Sequence, residues 1–425
     1  MKLARVAAVL AAASIAVAGC SSGASTAPSA AASAAASAAA SAGAVVDPLG
    51  TVTIPAGEPV HIALWGVLSG PDASLGEDTK QGIEVAIDDL GGKFKGHDIR
   101  LTTEDALCTP EGGATAAQKL AADSTLVGLI GSLCSDETVG GIKSITDAGL
   151  TTISSSNTRP ALTAPDRDAT YAGYARTAHN DSVQGKVAAE FAYNYLKVTR
   201  AATIHDGSTY AQALQQVFAD EFTKLGGTIT AQEAVTKETT DMSVVLKTVA
   251  VSKPELIYFP VFVAAAGFLS AQIPTVSGLE NVKTMGSDGH FSADYLKAAG
   301  QAAVGHYLSS PNFAAFGPGY QDFLKKRAAK FGGDPLSVYH AHAYDATNIL
   351  FAALNKVAIE NPDGSLSIPK GALRAAIFAT KDFPGLTGTL TCTPTGDCGA
   401  AVIAVYEITQ SNVDNLKLPT VPIWP

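Results

Sequence analysis

The sequence predicts an α/β protein built as two doubly wound, parallel-sheet lobes that face each other across a ligand cleft. Three observations carry this expectation. Short apolar runs alternate with stretches of helical periodicity, as βαβ units require. The alternation occurs once before about Arg176 and again after it. Polar clusters recur just past the ends of the apolar runs (Ser69, Ser135, Ser156 with Thr158, Asp206 with Tyr210, Asp288), the place where open α/β sheets bind ligands.

In chain order, Met1 to Arg5 and the apolar run after them read as a secretory leader over residues 1–19, too short to span a membrane. Val17-Ala18-Gly19-Cys20 then resembles a bacterial lipobox, which implies a lipid on Cys20 and export to the outer face of the cytoplasmic membrane. Residues 20–56, dominated at first by Ala and Ser, are expected to be a disordered tether. Roughly 370 residues follow from Val60, comfortable for two lobes. Loss of the leader deletes Lys2 and Arg5 and takes the formal charge from −10 to −12. With no basic run, that acidic surface gives no reason to expect nucleic acid. No later apolar run approaches the ~20 residues of a membrane span.

His61 to Gly66 reads as the first strand, followed by a helix with Ile83, Ala86, Ile87 and Leu90 on one face. Asp98 to Thr102 is the second strand, and a helix begins at Cys108-Thr-Pro-Glu111. Leu126 to Ile130 is a buried strand that runs through Gly131-Ser-Leu-Cys134 into a helix whose start carries the cap-type residues Ser135, Asp136 and Thr138. A helix N-terminus at that place suits an anionic ligand group. Leu150 to Ile153 is the fourth strand. The second half reads as a helix from Gln184 to Tyr195, a strand over Ala201–His205, a helix to Leu225 and a short strand near Thr228. Leu256–Phe262 and Val282–Gly286 are further strands. Pro318 to Leu354 is largely helical, Ala372 to Phe378 is a helix, and a hairpin around Cys392 to Glu407 closes the chain.

With Cys20 lipidated, Cys108, Cys134, Cys392 and Cys398 remain, an even number in an exported chain. Three connectivities are possible. Cys392 and Cys398 flank a Thr-Pro-Thr-Gly-Asp turn, so local pairing is economical and leaves Cys108 for Cys134. These spacings do not fit a zinc site.

Enzyme signatures are absent: no Gly-x-Ser-x-Gly elbow, no Walker loop, no Gly-x-Gly-x-x-Gly after the first strand. His340 and His342 diverge on a helix. Ser287, Asp288 and His290 share one turn, whereas a triad converges from separate segments. No catalytic residue, cofactor or metal is expected.

Several motifs, loose singly but specific in their order and spacing, carry a resemblance. They are Leu68-Ser-Gly-Pro71 with Gly76, Glu104-Asp-Ala-Leu-Cys-Thr-Pro110, Ile130-Gly-Ser-Leu-Cys-Ser135, Ile153-Ser with Thr158-Arg-Pro-Ala-Leu-Thr163, Arg176-Thr177 with Asp181 and Gln184-Gly185, and His205-Asp206 with Tyr210. From Val60 to about Thr409 the chain resembles the branched-chain amino-acid (leucine/isoleucine/valine) binding proteins of ABC importers, which have the type I periplasmic-binding fold. The resemblance implies three hinge crossovers, near Arg176, Ser309 and Thr387. Lobe 1 would comprise residues 57–176 and 310–387, and lobe 2 residues 177–309 and 388–425. It implies a monomer that delivers a small amino acid to a cognate permease. It also implies that Ser135 and Thr158 hold the ligand's α-carboxylate while the Ser156 carbonyl and Asp288 take its ammonium. Tyr210, Phe262 and Tyr339 would pack its side chain, with Trp65, His179 and His290 as further candidates for the cleft border. Two positions depart from the family: Asp288 stands where Glu is usual, and Leu75 replaces an aromatic. The rival readings are a binder of another small ligand such as an aromatic acid or amide, a ligand-sensing lipoprotein, and an exported hydrolase.

Overall fold

The computed structural model describes residues 46–425. The leader, Cys20 and most of the expected tether lie outside the described residues. Among the described residues two six-stranded sheets form the frame. The first runs in the order Lys93–Phe94, His97–Asp105, Val60–Gly66, Leu126–Gly131, Thr152–Ser154, Tyr174–Arg176, parallel except for its outermost pair. The second runs Ile403–Glu407, Tyr307–Pro311, Lys283–Gly286, Leu256–Tyr258, Arg200–His205, Thr228–Ala234, parallel except for Ile403–Glu407.

Val60–Gly66 is buried at every position, as a central parallel strand covered on both faces must be. Its side chains alternate. Ile62 and Leu64 join a core with Ile130, Ile153 and Leu350, while Ala63 and Trp65 pack on the opposite face with Leu129, Ile142 and Ile145. On that second face the helices Pro110–Ala122 and Ser135–Asp147 approach closely through Gly113 and Gly141. A Cβ on Gly113 would come within 2.4 Å of the Glu137 backbone, and one on Gly141 within 2.5 Å of the Gly113 carbonyl. This contact fixes where both helices begin, and those beginnings carry Cys108 and Cys134.

The chain passes between the sheets three times: after Arg176, between Pro311 and Tyr320, and between Leu390 and Ile403. The segment between the last two crossings packs helices Tyr320–Phe331 and His340–Val357 on the first sheet side. In each sheet the connection reverses beside a central strand, Val60–Gly66 in one and Arg200–His205 in the other. Those switch points are the ligand-binding crevices of doubly wound sheets.

Four expectations are corrected. Thr51–Ile54 is not tether; it pairs antiparallel with Leu366–Pro369. The strand expected over 256–262 stops at Tyr258 because Pro260 has no N–H for the ladder. The closing hairpin is displaced: Phe383–Gly385 pairs with Gly388–Leu390, and Ile403–Glu407 instead pairs with Tyr307–Pro311. The helix after the third strand is capped at Cys134, with Ser135 as its first helical residue. Both disulfides, Cys108–Cys134 and Cys392–Cys398, form as expected.

Candidate functional site

The turn from Gly131 to Ser135 is held from three directions. Glu137, in the first turn of the helix, folds back. Its Oε2 accepts from the Leu133 and Cys134 N–H groups at 2.8 and 3.0 Å, and its Oε1 accepts from Cys108 N–H at 2.9 Å. A glutamate three residues after the cap is a capping-box position, a signal in the sequence that names Glu137 once Cys134 is taken as the cap. Burial pushes this carboxyl up to about 7, against the pull of those three N–H groups. The Cys108–Cys134 disulfide joins the same two turns. From the next loop, Ser154 and Ser156 donate to the Ser132 and Leu133 carbonyls at 2.6 and 2.8 Å. With capping done by Glu137, the Ser135 hydroxyl has no hydrogen-bond partner in the protein among the described residues. It lines a cavity.

Across that cavity stands Asp288, in the turn after Lys283–Gly286. It accepts from Tyr339 Oη at 2.7 Å, Tyr210 Oη at 2.9 Å and Gln184 Nε2 at 2.6 Å. Burial, then the Asp288 charge, push both tyrosine hydroxyls far above their ordinary range, so they stay protonated donors. Asp206 accepts from Phe262 N–H at 2.8 Å and so sets Phe262 beside Tyr210, ring centroids 5.3 Å apart.

The space left between these walls is about 20 Å³, room for about one water, so a ligand enters only when the two sides part. Leu75, Ser135, Ser156, Tyr210, Phe262, Asp288 and Tyr339 all line it. Contacts between the two sides hold it narrow: Tyr339 to Asp288, Thr209 N–H to Asp136 Oδ1 at 2.9 Å, Val263 N–H to Asp72 Oδ1 at 3.2 Å, and Lys237 Nζ to the Cys108 carbonyl at 2.7 Å.

Thr158 does not line the cavity. It is buried behind it, its Oγ1 without a partner among the described residues, beside Asp181. Asp181 is fully buried, with the Thr158 hydroxyl beside it and no well-formed hydrogen bond to either carboxylate oxygen among the described residues. Burial first, and the Asp288 charge second, push its carboxyl well above the usual range. Donor atoms of His179, Asp181 and Asp288 lie within 4.8 Å of one another, so the trio could receive a cation. His179 shares its Nε2 with Gln184, and burial lowers its pKa, leaving a neutral ring whose Nδ1 is free among the described residues. Asp288 belongs to both trio and cavity. The sequence displays Asp181 within a motif, but only burial beside Asp288 shows that it lacks a well-formed hydrogen bond.

Three further candidates stand away from the cavity. Trp65 is packed in the core behind the first sheet. His179 belongs to the trio just described. His290 bonds Val261 O and His306, and burial lowers it to about 4, so it stays neutral. Ser287 bonds Tyr210, not His290, and no triad forms there. His340 pairs with Asp78 at 3.0 Å as a buried structural contact.

Residues 59–412 match the model of a family described as periplasmic binding protein. The chain belongs to that family. This periplasmic binding protein is 25% identical over 366 residues to the Leu/Ile/Val-binding protein homolog 3 of Brucella melitensis, covering 84% of this chain and 94% of that one. It is 27% identical over 301 residues to the Leu/Ile/Val-binding protein of Escherichia coli, covering 70% and 80% respectively. Its fold is similar to that of the branched-chain amino acid transporter substrate binding protein LivJ of Streptococcus pneumoniae, solved with isoleucine. That likeness has a TM-score of 0.72 and 21% identity, and it covers 85% of this chain and 98% of that one. Members of the family bind solutes; it is not an enzyme family. No helix among the described residues of this periplasmic binding protein is long and apolar enough to cross a membrane.

Proposed function

We propose that this protein captures a small α-amino acid, branched-chain or related, between its two lobes outside the cytoplasmic membrane and delivers it to an ABC importer. The observation that carries this reading is the polarity of the cavity. One wall presents an unpartnered serine hydroxyl at the start of a helix, where first-turn N–H groups and the helix dipole favour an anion. The opposite wall presents a carboxylate.

A zwitterion fits both walls at once. The ligand's carboxylate lies against Ser135. Its ammonium takes Asp288, which accepts three protein hydrogen bonds and as a carboxylate has about four acceptor sites. Asp181, whose oxygens make no well-formed protein hydrogen bond, backs the same ammonium, and Thr158 beside it serves this cationic end rather than the carboxylate. Leaving any of these charges buried and unpaired costs several kcal/mol, so binding and closure are coupled and the ligand shifts the population toward the closed form. Leu75, Phe262 and Tyr210 face the side chain.

In this reading the lobes are residues 46–176 with 320–390 and residues 177–311 with 403–425, hinged at the three crossings, and lipidated Cys20 holds the protein at the membrane. A thermal-shift panel of amino acids tests the ligand class: at 100 times Kd a true ligand adds about 2.7 kcal/mol. A panel in which only acids lacking the amine raise the melting temperature rejects the reading. Release of a Cys20→Ala variant from the membrane fraction tests the anchor; retention rejects it.

A further inference from the structure

Beyond the residues that hold the zwitterion, the cavity wall carries a second carboxylate, Asp72. It occupies the N-cap position of helix Ala73–Asp89, yet its side chain makes no capping bond there. It points away from its own helix, and Oδ1 accepts from Val263 N–H on the opposite side of the cleft at 3.2 Å. Oδ2 has no hydrogen-bond partner among the described residues, although Asp72 is only 8% exposed. Burial pushes the carboxyl up to about 6, opposed by Val263 N–H and then by the positive charge of Lys237. It is therefore ionised in neutral solution and one acceptor short of partners.

Its surroundings are polar as well. Ser74 and Ser337 line the same cavity, and neither hydroxyl has a hydrogen-bond partner among the described residues. Ser292 lines it too, with its hydroxyl occupied in capping Tyr295 N–H at 3.3 Å. An aliphatic side chain bound here would bury the free Asp72 oxygen and leave it unsatisfied. That is the arrangement by which binding sites reject ligands lacking a hydroxyl or amino group.

We infer that Asp72 is a specificity-determining residue and that the protein selects amino acids whose side chain carries a hydrogen-bond donor (hydroxyl, amide or ammonium) over purely aliphatic ones. The inference rests on the amino-acid reading above and names the substrate class within it.

Valine and threonine are isosteric and differ by this one group, so calorimetric titration of the wild-type protein with both is the direct test. Glutamine and lysine against leucine extend it to longer side chains. Threonine is expected to bind at least about tenfold tighter than valine. In Asp72→Leu that ratio is expected to fall below threefold or reverse. Asp72→Asn keeps the size and the acceptor, so it serves as the variant if Asp72→Leu fails to fold; it should narrow the lysine preference most. Valine binding as tightly as threonine, with no donor-bearing member of the other pairs ahead of leucine, overturns the inference and leaves the amino-acid reading standing. Absence of binding by every amino acid overturns both.

Discussion

Replacing Asp288 with asparagine keeps the shape of the proposed ammonium site and removes its charge. The wild-type carboxylate is oriented by Tyr210, Tyr339 and Gln184, so the ligand meets a fixed anion and no reorganisation is needed. Loss of one member of a buried, hydrogen-bonded charge pair costs about 2–5 kcal/mol. Asp181 offsets part of this. After burial itself, the Asp288 charge is what holds the Asp181 carboxyl up, and removing it lets Asp181 ionise more readily and take over the ammonium. The expected loss is therefore at the low end, about 2–3 kcal/mol, or roughly 30- to 150-fold in Kd. Isothermal titration with the tightest amino acid of the panel measures it, with circular dichroism confirming the fold. Adding Asp181→Asn should deepen the loss by at least another tenfold. A single variant within threefold of wild type would refute both the placement of the ammonium and the sharing argument.

Other consequences follow from the same geometry. Ser135→Ala removes the hydroxyl proposed to hold the ligand's carboxylate and should weaken binding by about 1.5–3 kcal/mol without lowering the melting temperature; unchanged affinity would take Ser135 out of the site. Glu137→Gln leaves Cys108 N–H facing an amide donor and should destabilise the free protein by about 1–3 kcal/mol in urea unfolding. Glu137 also sets a pH dependence. Its folded carboxyl lies near 7, so between about 4.5 and 7 the folded chain holds a proton that the unfolded chain has lost, and stability falls as pH rises through that window. The difference in unfolding free energy between wild type and Glu137→Gln should shrink over the same range; a constant difference contradicts the shift. Removing the Cys108–Cys134 bridge, whose cysteines are 26 residues apart, should cost about 3.5 kcal/mol in the chain-entropy model, against about 2 for Cys392–Cys398, which are 6 apart.

Much of the frame was legible because each strand of a parallel sheet is a short apolar run and its covering helices repeat at 3.6 residues. Val60–Gly66 and Leu126–Gly131 are such runs, and they stand where the periodicity puts them. What failed was long-range choice of partner. Ile403–Glu407 reads as a strand from its residues, but nothing local tells whether it folds back on its neighbour or crosses to Tyr307–Pro311. Thr51–Ile54 was hidden for the same reason, since its partner Leu366–Pro369 lies far along the chain.

In the site, seven of the eight expected ligand residues line one cavity, because strand ends in this topology converge. Thr158 was misplaced by its loop: Ser154 and Ser156 turn toward the Ser132–Cys134 segment, and Thr158 faces Asp181 behind it. Asp181 and Asp72 were not legible as site residues, since in sequence each is an acid at a helix start, an ordinary capping position. What sets them apart is visible only in the folded chain: the Asp181 oxygens are buried among few donors, and Asp72 turns from its own helix to Val263 across the cavity.

In the proposed function one cavity satisfies both charged ends of an amino acid. Calorimetric titration of the wild-type protein with the tightest amino acid of the panel, its analogue lacking the amine, and its analogue lacking the carboxylate puts this to the test. Each truncated analogue is expected to bind at least about a hundredfold more weakly than the parent, because each leaves a buried partner uncompensated. An amine-free acid that binds as tightly as the parent amino acid would contradict it.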